Sequence, residues 1–235
     1  MGSQASEPEV NEAAGGSDWK PYVLPFALLI ALLALAQTFR IATEVAYPLR
    51  TVAVLAALCV FSRRVIALRP AHPLSSILVG LAVFAVWIGP DVLFPGYRHL
   101  WLFQNAVTGV ASGALPAAAV RARAWYLCFR VGGAALVVPV VEELFWRGWL
   151  MRWLISPNIR KIPLGTYSPQ AFWIVAALFA SEHGTFWDVG LAAGILYNWW
   201  MIRTLSLADC ILAHAVTNAS LAAYVLVGNH WQYWL

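Results

Sequence analysis

Charge is what this sequence has least of. Only 11% of its 235 residues are Asp, Glu, Lys or Arg, against roughly 25% in a soluble domain. With 61% hydrophobic residues and a mean hydropathy of +0.70, that scarcity excludes an ordinary soluble fold and points to a membrane protein. Cysteine is scarce too. Cys59, Cys128 and Cys210 each stand in an apolar run and belong to no CxxC or Cys/His spacing, which excludes a disulfide framework or a zinc knuckle. They are expected to be buried free thiols that report no redox compartment. Basic blocks are missing as well: the net charge of +4 comes from arginines scattered between apolar runs. That excludes a nucleic-acid grip and leaves lipid headgroups as their partners.

What is there is a series of apolar segments. Residues 1–18, "MGSQASEPEVNEAAGGSD", form a polar acidic tail with too few apolar residues to order itself. The tail lacks the basic region of a secretory signal, so the first apolar run is expected to stay as a helix. Residues 19–235 then read as one integral membrane domain. Segments are expected at Pro21 to Phe39, Pro48 to Phe61, Leu74 to Phe94, weakly at Leu100 to Val120, then Trp125 to Ile155, Gln170 to His183, Trp187 to Ile202 and Leu205 to Val227. The fold class is therefore all-α, a polytopic transmembrane helical bundle with about six to eight spans. The Trp125 to Ile155 run exceeds the ~20 residues a bilayer needs, so it should tilt, bend near Pro139, or continue along the surface. Small residues in "GLAAGILYN" and "LAHAVTNAS" let helices approach closely, and the last four segments are expected to pack as a unit. "HWQYWL" reads as an interfacial anchor. The arginines of the loops do not fall on one side, so they leave orientation open.

Against this background "VVPVVEELFWRGW" stands out, because it sets Glu142, Glu143 and Arg147 inside an apolar helix. A charged side chain at the centre of such a helix costs about 2.5–3.5 kcal/mol, so these three need partners or water. Glu143 and Arg147 are four apart on one face and can pair, whereas Glu142 is turned about 100° away. Two later segments supply groups to meet it. Phe179 and His183 are one turn apart in "ALFASEHG", as are His214 and Asn218 in "ILAHAVTNAS". The bland readings are a purely structural Glu143–Arg147 pair and His214 with Asn218 as interhelical glue. Asn198 reads as glue, and Glu182 as a salt-bridge or interfacial residue pointing elsewhere.

If the three helices converge, the groups suit amide hydrolysis without a nucleophilic side chain. Glu142 in a dry cleft acts as general base toward water, and His183 holds the same water. His214 and Asn218 donate to the developing oxyanion. The signatures HExxH, Gly-x-Gly-Asp and Gly-x-Ser-x-Gly are absent; "GVASG" has its serine one place off. No cofactor is expected, with Zn²⁺ on Glu and two His as the mechanistic alternative.

The order Glu-Glu-x-x-x-Arg, Phe-x-x-x-His, His-x-x-x-Asn resembles the CAAX protease and bacteriocin-processing family of glutamic intramembrane proteases, over about Trp125 to Val227. The resemblance implies a helical bundle with the catalytic core at about 125–227. It also implies Glu142 as the base assisted by His183, His214 with Asn218 as the oxyanion site, and Glu143, Arg147 and Phe179 in support. The implied activity is endopeptidase cleavage near the C-terminus of a membrane-associated protein substrate. "SEHGTFWDVG" and "LYNWW" also resemble members tied to exosortase or myxosortase systems, which gives sorting-signal processing and a sortase-like partner beside CAAX-type cleavage. A multi-pass protein of the bacterial inner membrane is expected. The rival classes are a proton-coupled transporter, disfavoured because no inverted repeat is visible, and a non-catalytic immunity or scaffold protein.

Overall fold

The computed structural model describes residues 19–105 and 118–234. The helices are α1 (Lys20–Thr38), α2 (Thr43–Ser62), α3 (Pro73–Leu93), a short α4 (Ala118–Arg121), α5 (Ala124–Trp153), α6 (Pro169–Ser181), α7 (Trp187–Thr204) and α8 (Leu207–Gly228). The acidic tail expected at 1–18, and most of the weak segment expected near 100–120, fall outside the described residues. Helices α1, α2, α3, α5 and α8 are long and apolar enough to cross a membrane. The fold is thus an all-helical integral membrane bundle. The two remaining expected segments are present as α6, with 13 residues, and α7, with 18 residues and charges at Asp188 and Arg203.

Helix α5 does not break at Pro139. Its backbone widens into π-helical turns at Gly133–Val137 and Leu144–Leu150, with α-helix at Val138–Glu143 between them. Widening just ahead of Pro139 makes room for a ring that would clash with the preceding turn and covers for the N–H that proline lacks. Glu142 and Glu143 therefore sit on the one regular turn between two widened ones.

Small residues set the helix spacing, as their clustering predicts. A Cβ added at Gly80 of α3 would lie 2.8 Å from Cβ of Val216 on α8, and Thr217 Oγ1 donates to the Gly80 carbonyl at 2.8 Å. Gly194 lets α7 meet α6 in the same way, with the Ala176 carbonyl 3.2 Å from where a Cβ would stand. Helix α3 thus packs along α8 as part of the core around the later segments. The joint is fixed at one end by Asp209, which is fully buried. Its carboxylate accepts from the amides of Ala71 and His72, both at 2.8 Å, and from Ser76 Oγ at 2.7 Å. It satisfies the open N-terminus of α3 from a neighbouring helix.

One expectation is corrected. Cys210 is buried, but Cys59 and Cys128 are exposed on the outside of α2 and α5. In a membrane bundle the outer face is as apolar as the core, so apolar flanks do not separate the two.

Candidate active site

Helices α5, α6 and α8 do bring their polar residues together. Glu142, Phe179, His183, His214 and Asn218 line one cavity of about 170 Å³. That is room for several waters at roughly 30 Å³ each. Trp87 of α3, Tyr197 and Thr217 add to the wall, as do Tyr233 and Trp234 of the C-terminal turn. Two residues of the "HWQYWL" stretch thus line the cavity, a place its composition alone does not reveal.

Glu143 and Arg147 are fully buried behind the cavity wall and pair at 3.1 Å. Arg147 also donates Nε to Asn198 Oδ1 at 2.9 Å and Nη2 to the Gly194 carbonyl at 3.2 Å. Its guanidinium lies 4.7 Å from the centre of the Phe179 ring. Asn198 in turn donates to the Phe172 carbonyl at 2.8 Å, tying α6 and α7 to the ion pair as expected of interhelical glue. Gly194 and Asn198, one turn apart on α7, thus form a docking edge for Arg147.

The pair is more than a self-contained bridge, because Glu143 Oε1 also accepts from His214 Nδ1 at 2.9 Å. Since a carboxylate can only accept, Nδ1 carries the proton and the remaining nitrogen, Nε2, is left for the cavity. The His214 ring is stacked on Tyr197 with centroids 5.0 Å apart, and Tyr197 is pinned by its hydroxyl to Thr217 at 2.8 Å.

His183 is fixed by the same logic. Its Nδ1 lies 2.7 Å from the Phe179 carbonyl, one turn back. A carbonyl accepts only, so Nε2 is again left with a lone pair. The ring stands between Trp87 and Phe179, at centroid distances of 5.1 and 4.7 Å. Burial there pushes its pKa down to about 4, so at neutral pH it is an uncharged acceptor.

Glu142 has no such ties. Its Oε2 is buried without a hydrogen-bond partner. Asn218 donates to the Ala134 carbonyl at 2.8 Å, a group within the π-helical turn Gly133–Val137, and keeps its second N–H. Glu182 is exposed and does not line the cavity. Among the described residues no three His, Cys, Asp or Glu side chains stand together as a metal-holding group; the zinc alternative would need them to rearrange.

Sequence reasoning missed Tyr197, Asp209 and Arg130. Arg130 had a visible signal, since Arg130, Ala134, Val138 and Glu142 recur at every fourth position and all four line the cavity. Asp209 had one in "LSLAD", where Ser206 caps α8 and leaves the acid at its first turn.

These features define a polytopic membrane protein with a cavity, lined by polar side chains, between its helices. Over residues 123–220 the chain matches the model of the Rce1-like family, described as type II CAAX prenyl endopeptidase Rce1-like. That match covers the three motif-bearing helices and supports intramembrane endopeptidase activity on membrane-associated protein substrates. It does not extend to the exosortase or myxosortase link. No curated protein and no solved structure matches the chain.

Proposed function

We propose that the protein is a glutamic-type intramembrane endopeptidase in which Glu142 activates water against a peptide bond near the C-terminus of a membrane-associated protein. The single observation that carries this reading is the contrast between neighbours. Glu143 is bonded through Oε1 to Arg147 and His214 and stands behind the cavity wall, its Oε2 buried without a partner, while Glu142 lines the cavity that also holds His183, His214 and Asn218, with its Oε2 likewise unpartnered.

The steps follow from the fixed ring orientations. A water between Glu142 and Nε2 of His183 gives one proton to the carboxylate as its oxygen attacks the carbonyl carbon. The lone pair of His183 holds the water's second proton. The oxyanion that forms is met by the free N–H of Asn218, and Nε2 of His214, on the same cavity wall, donates to it when it holds a proton. Glu142 then returns its proton to the leaving amine as the tetrahedral intermediate collapses. Arg147 and Phe179 keep the wall in place.

CAAX-type cleavage of a prenylated C-terminus is the substrate reading that the family description supports. Mass spectrometry of the termini of membrane and surface proteins, in cells with wild-type protein and with Glu142→Gln, tests it. The expected result is a set of C-terminal peptides present in the mutant and trimmed in the wild type. Identical termini in both would contradict it, and trimmed proteins lacking a lipidated cysteine would replace CAAX substrates with sorting signals.

A further inference from the structure

The stripe Arg130, Ala134, Val138, Glu142 runs along one face of α5 and lines the cavity as far as the carboxylate. Arg130 is the single arginine or lysine among the lining residues. Its guanidinium stacks near Tyr47, 4.6 Å from the ring centre, and Trp234, at 5.0 Å. One N–H donates to the Trp234 carbonyl at 2.8 Å. The ion pairs among the described residues belong to Arg98, Arg147, His72 and His214, and none involves Arg130. A second guanidinium, that of Arg50, lies 4.5 Å from the same Tyr47 ring.

A half-buried cation with five N–H donors and, among the described residues, one bond and no counter-ion is costly in an apolar bundle and rewards an arriving anion. Cation–ring stacking on two sides holds the donor fork still, which suits the planar, two-oxygen geometry of a carboxylate. The Trp234 carbonyl already places one acceptor oxygen on the fork.

We infer that Arg130 receives the terminal carboxylate of the peptide substrate and so determines specificity for chain ends. This rests on the endopeptidase reading above. Twelve residues separate Arg130 from Glu142, about 18 Å of helix axis at ~1.5 Å per residue, and slightly less through the π-helical turn. Side chains on a helix lean toward its N-terminus, so the guanidinium and the carboxylate stay about as far apart as their backbones, a gap of roughly five extended residues. The arrangement therefore selects a scissile bond a short, fixed distance from a free C-terminus and rejects internal sequence.

The test is binding in phosphatidylcholine vesicles by the full chain carrying Glu142→Gln, which removes turnover. The probes are a fluorescent apolar peptide ending in a free carboxylate and the same peptide ending in an amide. The acid should bind at least about tenfold tighter, as a charge-assisted bidentate pair does. Adding Arg130→Gln should bring the ratio close to one, and Arg130→Lys should keep part of it. With Glu142 intact, Arg130→Gln should raise KM for the acid peptide and leave kcat nearly unchanged, whereas a purely structural role would lower kcat for both peptides.

Equal binding of acid and amide by the parent protein, or discrimination that survives Arg130→Gln, overturns the inference. So does discrimination that vanishes in phosphatidylglycerol vesicles while Arg130→Gln releases bound phosphatidylglycerol, since Arg130 is then a headgroup site. Intact acid preference without hydrolysis of either peptide counts against proteolysis and leaves the carboxylate site standing. Should Arg130→Gln melt early, the wild-type ratio and Arg130→Lys decide.

Discussion

His214 donates its Nδ1 hydrogen to Oε1 of Glu143 at 2.9 Å, the same oxygen that accepts from Arg147 at 3.1 Å. Glu143 therefore has two duties: it compensates a fully buried guanidinium, and it turns the His214 ring so that Nε2 is the nitrogen left for the cavity. Its neighbour Glu142 is left for chemistry.

Removing Glu143 or Arg147 should damage the fold before it damages anything else. Glu143→Ala leaves Arg147 buried without a carboxylate, and Arg147→Ala does the reverse; losing one partner of a buried pair costs about 3–5 kcal/mol. Thermal unfolding in detergent should show both variants melting well below wild type. A normal melting temperature for Arg147→Ala would count against the ion pair as a structural element.

Asn218 should behave differently. Asn218→Leu removes the donor to the Ala134 carbonyl and the second N–H assigned to the oxyanion. Loss of one oxyanion donor lowers kcat by about 10²–10³, while loss of one neutral hydrogen bond lowers stability by only about 1 kcal/mol. Peptide-cleavage assays beside melting curves separate the two. A rate within threefold of wild type would remove Asn218 from the oxyanion site.

Much of this arrangement was legible because membrane helices carry few polar residues. Against an apolar background Glu142, Glu143, Arg147, His183, His214 and Asn218 announce themselves, and four-residue spacing assigns their faces. What spacing could not show is which groups each meets across helices. That Glu143 bonds His214, 71 positions away, is a property of packing. So is the place of Tyr233 and Trp234 in the cavity lining. Cys59 and Cys128 show the opposite failure: where lipid replaces water, hydrophobicity no longer reports burial.

The depressed pKa of His183 has a consequence for stability. Burial pushes its pKa from 6.5 down to about 4, so between these values the unfolded chain binds a proton that the folded ring refuses. This contribution is intact above pH 6.5 and is lost as pH falls toward 4, on the order of 3 kcal/mol for a shift of this size. His183→Gln, which can still donate to the Phe179 carbonyl, should flatten that part of the stability curve. Parallel pH–stability curves for the two proteins would show that His183 titrates normally.

Metal dependence is read by removal and return. Activity should persist after exhaustive chelation, and metal analysis of the active protein should find no stoichiometric zinc. Activity lost on chelation and restored by Zn²⁺ would reassign Glu142, His183 and His214 as ligands.

The most direct test of the central claim is hydrolysis by purified Glu142→Gln. The substitution keeps the shape of the side chain, removes the base, and leaves the Glu143 hub untouched. The protein should melt with wild type and cleave a C-terminal peptide at a rate indistinguishable from the uncatalysed background. A folded Glu142→Gln protein that cuts as fast as wild type would contradict the account.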